Sequence, residues 1–312
     1  MYEIGSKYVN VNGLGMHYRV LGPKNAPPLL LLHGIMGNAW EWDTAIDRLV
    51  QRFRVYAPDQ RGHGRTDWSP PMTARQMGED AAGFARALDL WDVTLVGHSM
   101  GGLAGVFAVA SQPRRFARLV VLDIGPASLG GPVAARVATA LQFLGQQAYH
   151  SPDLATAEWL MGDPFARPDL VQNYVDHGLQ RGRDGLYRWR FDAAGLMQFL
   201  REGAEPDGVA AALRNVPVPT LVVRGEHSDV LSREGAGQVM DLLPWGELRV
   251  IPGASHDLGV QQPEAVAAAV LEFAGRPGTG MQAEPLAPDA REGGQTGTGY
   301  LAMLGDRRVA LL

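Results

Sequence analysis

The chain contains no cysteine. That absence removes a disulfide framework, a Cys-ligated zinc or iron–sulfur centre and a thiol nucleophile, and it fits a reducing compartment. A basic surplus is missing as well, because 28 Lys plus Arg stand against 33 Asp plus Glu and leave a formal net charge of −5. Nucleic acid and anionic membranes are bound through a positive surplus that neutralises phosphates, so neither is expected as a partner. Long hydrophobic runs are also lacking. The longest aliphatic block near the start, residues 29–32, is four residues long, whereas a membrane span takes ~20. The opening Met1-Tyr2-Glu3-Ile4-Gly5 has neither the basic region nor the apolar stretch of a signal peptide. A soluble, cytoplasmic protein is therefore expected. What is present is ordinary: 312 residues, 46% of them hydrophobic, can build one large domain or two modest ones.

Short apolar runs bounded by turn residues alternate with amphipathic stretches along the first half, which predicts an α/β architecture. Residues 8–11 and 16–21 flank Asn12-Gly13-Leu14-Gly15 and predict an antiparallel hairpin, since Asn-Gly supplies the positive φ of a tight turn. Residues 29–32, 54–57, 93–96 and 119–122 read as interior strands, their near-continuous apolar character suiting a sheet covered on both faces. Residues 40–50, 73–88 and 101–111 have helical spacing. From 126 to 215 the pattern is helix-like, rich in aromatics and without a convincing buried strand. Strand–helix rhythm resumes at 220–223, continues at 247–251 and ends with a helix over 263–273. One α/β domain over 1–125 and 216–274 with an inserted helical layer is the expectation. Beyond Ala274 come eight glycines and three prolines, and 275–312 reads as a disordered tail.

Gly97-His98-Ser99-Met100-Gly101-Gly102 follows one predicted strand and opens a helix. A serine on so sharp a strand-to-helix turn needs small neighbours, and the helix aims its first N–H groups at charge developing near Ser99. A serine hydroxyl is a weak nucleophile at neutral pH and needs a base, which in turn needs an orienting acid. Asp229 follows the strand at 220–223 and His256 follows the one ending at Ile251, each where an open α/β sheet places its ligand site. His33-Gly34-Ile35-Met36-Gly37 follows the strand at 29–32, so the backbone N–H of Ile35, with that of Met100, is the expected oxyanion hole. His33 itself is expected to be a structural hydrogen-bonding residue.

On His33-Gly34, Asp59-Gln60-Arg61-Gly62-His63-Gly64, the Ser99 motif, Asp229 and His256, residues 8–274 resemble the α/β-hydrolase-fold serine hydrolases of the small esterase, enol-lactonase and carbon–carbon hydrolase group. The resemblance implies a mostly parallel, doubly wound sheet with a helical cap at 126–215, and a Ser99–His256–Asp229 triad in the order Ser…Asp…His. Some members of that group place the acid after the preceding strand, which makes Asp123 the alternative; Asp229 holds the commoner position. The loop Asp59 to Gly64 is expected to shape the site rather than to react.

The remaining histidines show no metal-ligand spacing, and Gly13-Leu14-Gly15 lacks the rest of a dinucleotide fingerprint, so no metal and no cofactor are expected. Met36, Trp40, Met100, Met161 and Met197 are candidates for lining the pocket. Any of Arg136, Arg167, Arg181, Arg183, Arg188 and Arg190 is a candidate for a substrate carboxylate. The leading expectation is a carboxylesterase-like enzyme acting on a small, largely apolar ester or lactone, as a monomer or homodimer. The resemblance also admits a lactonase, a carbon–carbon hydrolase or a cofactor-free oxygenase or perhydrolase with the same triad, and a non-catalytic ligand receptor stands as the alternative outside enzymes.

Overall fold

The structure, a computed structural model, describes residues 5–163 and 166–276. It begins with the hairpin β1 (Gly5–Val11) and β2 (Leu14–Leu21), closed by the two residues Asn12 and Gly13 at φ 53° and 85°. Two successive positive φ values make a turn whose twist matches that of the strands, so Val11 pairs directly with Leu14. Leu14 and Gly15, expected in the turn, belong to the strand.

The chain then alternates: β3 (Pro28–Leu32), α1 (Asp43–Leu49), β4 (Arg54–Pro58), α2 (Ala74–Ala87), β5 (Val93–His98), α3 (Met100–Ser111) and β6 (Phe116–Leu122). Four helices, α4 (Gly131–Leu144), α5 (Pro152–Gly162), α6 (Pro168–Gly178) and α7 (Ala193–Gln198), follow, with a small hairpin of β7 (Leu179–Arg181) and β8 (Tyr187–Trp189) between the last two. The fold ends with α8 (Pro206–Arg214), β9 (Thr220–Gly225), α9 (Arg233–Leu242), β10 (Gly246–Ile251), α10 (Leu258–Gln261) and α11 (Pro263–Ala274). The main sheet runs β1-β2-β4-β3-β5-β6-β9-β10, antiparallel through β2 and β4 and parallel from β4 onward.

Alternation along β3 shows why its run is wholly apolar. Leu30 and Leu32 join the core beneath α2 and α3, while Leu29 and Leu31 join the core beneath α1 and α11. Successive side chains point to opposite faces, and both faces are covered, so all four leucines are buried.

The helical insertion leaves the sheet after β6 and has a small core of its own around Tyr149, Val171, Val175 and Leu179. Within the expected insertion, Val209 and Leu213 of α8 pack in the same core as Leu103 of α3, a core that Leu141 of α4 and Leu196 of α7 also enter. The short β7–β8 hairpin is half-exposed, and its alternation was too brief to read as a strand signal. Of the expected tail, Gly275 and Arg276 are described, and the Arg276 guanidinium bonds Glu247 at 2.7 and 2.9 Å; the rest lies outside the described residues.

Candidate active site

Ser99 joins β5 to α3 with φ 50° and ψ −120°, a backbone conformation in which a non-glycine residue is strained. The turn is possible because its neighbours lack side chains. A Cβ on Gly97 would stand 2.2 Å from the carbonyl oxygen of Gly101, and a Cβ on Gly101 would stand 2.4 Å from that of Leu32.

Ser99 Oγ lies 3.0 Å from His256 Nε2, and His256 Nδ1 lies 2.8 Å from Asp123 Oδ2. A carboxylate only accepts, so the imidazole proton sits on Nδ1 and the Nε2 lone pair faces the serine hydroxyl. Asp123 is fully buried at the end of β6. Its Oδ1 accepts from the Gly225 N–H at 2.9 Å, and Oδ2 also accepts from the Ser228 hydroxyl at 2.5 Å. Ser228 Oγ in turn accepts from the N–H groups of Val230 and Leu231, at 3.2 and 3.0 Å. The acid beside the histidine is thus Asp123, and the expectation of Asp229 is corrected. Asp229 lines the cavity wall instead, accepts from Arg136 at 2.5 Å and is more than half exposed, while Ser228 is the residue of that loop that meets the buried Asp123 carboxylate.

The turn Gly34–Gly37 has nearly all its polar groups held. Gly34 N–H donates to Glu41 Oε2 at 3.1 Å, Met36 N–H to His63 Nε2 at 3.1 Å, and Gly37 N–H to the Gly34 carbonyl at 3.1 Å. Ile35 N–H has no acceptor among the described residues, nor has Met100 N–H at the start of α3, and Ile35 lines the cavity over Ser99. Both groups are available to an oxyanion.

Around this turn sits an unexpected buried ion pair. His98 Nδ1 bonds Glu41 Oε1 at 2.9 Å, and His98 Nε2 donates to the His256 carbonyl at 3.0 Å. Burial alone would discharge His98, but the Glu41 carboxylate outweighs it and holds the imidazole up at a pKa of about 9. Glu41 stays ionised for the reciprocal reason: burial opposes its charge, and His98 lowers its pKa overall. His63 has no such partner, and burial pushes it down to about 3, so it is neutral and free to accept from Met36. His33 bonds the Gly34 carbonyl at 2.7 Å and accepts from the Gln60 N–H at 2.9 Å, a structural part. In the Asp59 to Gly64 loop, Asp59 accepts from Ala39 and Arg65 N–H at 2.7 and 2.8 Å, while Arg61 grips Asp80 at 2.7 and 3.0 Å.

A cavity of about 700 Å³ opens above Ser99 and His256. Val133, Val137, Ala140 and Leu144 of α4 line it, and their spacing of four, three and four residues puts them on one helical face. Met36 lines it as expected. Trp40 does not: its indole is stacked between His17, at 5.5 Å, and His177, at 4.5 Å. Met161 is 82% exposed on the outer side of α5, Met197 packs on the main core, and Met100 is wholly buried beneath the turn. Large apolar side chains serve a cavity wall, a core or a surface alike, so their type does not distinguish the three. Of the arginines, Arg136 lines the cavity, whereas Arg167 pairs with Asp169 and Glu264 and Arg188 with Asp184. Glu41, Ser228 and Tyr174 carried no motif signal that marked them for the site. Only the nearness of Ser228 to the expected acid hinted at it.

A mostly parallel sheet with a serine on the turn after β5 and a histidine after β10 defines an α/β hydrolase. The chain belongs to the Alpha/beta hydrolase family, whose profile matches residues 29–269. It is 30% identical over 274 residues to a 2-(acetamidomethylene)succinate hydrolase of Mesorhizobium japonicum, covering 86% of this chain and 94% of the relative. It is 26% identical to an sn-1-specific diacylglycerol lipase of Mus musculus, covering 86% of this chain and 88% of the relative. Among solved structures, an E-2-(acetamidomethylene)succinate hydrolase superposes with a TM-score of 0.79 at 28% identity, over 88% of this chain and 100% of that one. Among the described residues no helix is long and apolar enough to cross a membrane.

Proposed function

We propose that the protein hydrolyses carboxylic esters of small, largely apolar acids through an acyl-enzyme on Ser99. The observation that carries this is the unbroken hydrogen-bonded line Ser99–His256–Asp123 beneath the cavity. Ser99 Oγ attacks the acyl carbon while His256 Nε2 takes its proton, and the carbonyl oxygen becomes an oxyanion in reach of the Ile35 and Met100 N–H groups. Collapse breaks the ester C–O bond, and His256 returns the proton to the leaving alcohol. Water, deprotonated by His256, then attacks the acyl carbon and releases the acid and Ser99. Asp123 stabilises the imidazolium and keeps its orientation throughout. The apolar stripe of α4 supports an aliphatic or aromatic acyl group, and the lipase among the relatives supports ester chemistry.

The cavity-lining Arg136, together with a relative named for a succinate, supports a second reading in which the substrate carries a carboxylate. Arg136 would then exchange Asp229 for that group.

The test is turnover of p-nitrophenyl esters of graded chain length, with a lactone, a vinylogous diketone and a carboxylate-bearing ester alongside. Ester cleavage that vanishes in Ser99→Ala, with stoichiometric fluorophosphonate labelling at Ser99, is expected. Inactivity on every ester with turnover of the diketone would move the reaction to carbon–carbon cleavage.

A further inference from the structure

The bonds that hold the oxyanion turn come from two sources. Glu41 and His63 belong to the sheet domain, but the Met36 carbonyl accepts a 3.1 Å hydrogen bond from the Tyr174 hydroxyl, on α6 of the helical insertion. Met36 has φ 64°, a strained conformation for a non-glycine residue that persists only where surrounding contacts fix it. Two neighbours of Tyr174 on α6 grip the chain just after the turn. Asn173 Nδ2 donates to Asp43 Oδ2 at 3.2 Å, and the His177 ring stacks on Trp40 at 4.5 Å and 13°. Helix α6 is therefore seated along residues 36–43, with a direct hydrogen bond to the turn at the strained residue. Burial, reinforced by the carboxylates of Glu41, Asp257 and Asp59, holds the Tyr174 pKa well above that of a free phenol, so the hydroxyl remains a donor.

We propose that Tyr174 is a positioning residue for the oxyanion hole, so that the seating of α6 on residues 36–43 sets the aim of the Ile35 N–H. The proposal rests on the ester-hydrolase reading, since it needs an oxyanion to develop. The physical reason is short: Ile35 N–H and Met36 C=O lie in the same tight turn, and releasing the carbonyl lets the strained Met36 relax and rotates the adjoining peptides. Tyr174 and Met36 also line the cavity, but loss of one hydroxyl already committed to the Met36 carbonyl leaves the wall's shape and apolar surface in place, so binding of the ground-state ester changes little. Stabilisation of the oxyanion, realised only in the transition state, suffers.

Tyr174→Phe removes the hydroxyl and keeps the ring that packs at 4.9 Å on Trp159. The measurement is kcat and KM for a p-nitrophenyl ester and for its thionoester, whose C=S sulfur draws far less on N–H donors, together with thermal melting. Loss of a direct oxyanion donor costs about 100- to 1000-fold in kcat, so an indirect loosening is expected to cost about tenfold. KM should stay within about twofold. The ester-to-thionoester rate ratio should fall as well, which a merely structural role would not cause, since general damage slows both substrates alike. His177→Ala, which unseats α6 without touching the turn, is expected to lower the ratio in the same direction and provides the test should Tyr174→Phe not fold. Wild-type turnover with an unchanged ratio in the variants would overturn the proposal and leave the hydrolase reading standing. A wild-type protein inert to esters and to fluorophosphonate would overturn both.

Discussion

Asp123 and His256, 133 residues apart in the chain, meet through a 2.8 Å hydrogen bond, while Asp229, much nearer to His256 in sequence, pairs with Arg136 instead. This relationship separates two carboxylates that the chain order alone leaves equivalent. Asp123→Asn is expected to lower kcat for ester cleavage by about four orders of magnitude, because an amide donor opposite Nδ1 forces the imidazole into the wrong tautomer. Asp229→Asn removes a half-exposed ion pair, typically worth ~0–1 kcal/mol, and is expected to change kcat by less than about fivefold. Steady-state kinetics on one ester decide; the reverse ranking would return the acid role to Asp229.

Ser228 binds the same carboxylate from the other side. Ser228→Ala leaves the N–H groups of Val230 and Leu231 without their acceptor and Asp123 without one donor. A loss of about 1–3 kcal/mol of unfolding free energy is expected in urea titration, with a lowered kcat. Unchanged stability would show that those groups find other partners.

The Glu41–His98 pair makes stability fall as pH rises. Folded His98 titrates at about 9 against an ordinary 6.5, so between those values the native state holds more protons than the unfolded chain. The contribution is complete below about pH 6.5 and is lost through pH 9, with an upper bound of about 3 kcal/mol. His63, pushed down to about 3, is neutral in the folded protein but takes up a proton near pH 6.5 when unfolded, so it adds a smaller rise in stability between pH 6 and about 7.5 that partly offsets the His98 drop. Denaturant midpoints at pH 6 and pH 9.5 measure the drop, and Glu41→Gln should flatten it. An equal slope in the variant would assign the effect to other groups.

Val137 lies at the middle of the apolar α4 stripe facing the cavity. Val137→Trp is expected to reduce kcat/KM for octanoyl relative to acetyl esters by about tenfold or more, since each excluded methylene in an apolar pocket carries a discrimination of that order. Equal losses on both substrates would place the acyl chain elsewhere.

The strands and the turn at Ser99 were legible because they depend on local rules. A buried strand needs an apolar run, a hairpin needs Asn-Gly at positive φ, and the turn at Ser99 needs glycines where other chain segments approach within van der Waals distance. The extent of the insertion was less legible. α8 has the composition of its neighbours, and its packing in the core of Leu103 emerges only in the folded chain. Trp40 read as a pocket residue, yet two histidines from distant segments sandwich it. Large apolar side chains serve wall, core and surface alike, and periodicity does not record which neighbour arrives.

The sequence by itself determined the α/β alternation, the absence of cysteine and the sharp strand-to-helix turn at Ser99, because each follows from residue type and short-range spacing. Only the tertiary structure decided between Asp123 and Asp229, joined Glu41 to His98 and brought Tyr174 onto the turn at Met36. Those choices depend on which way a loop side chain faces after distant segments have packed, and on burial, which alters the energy of charges and hydrogen bonds without leaving a pattern in the chain.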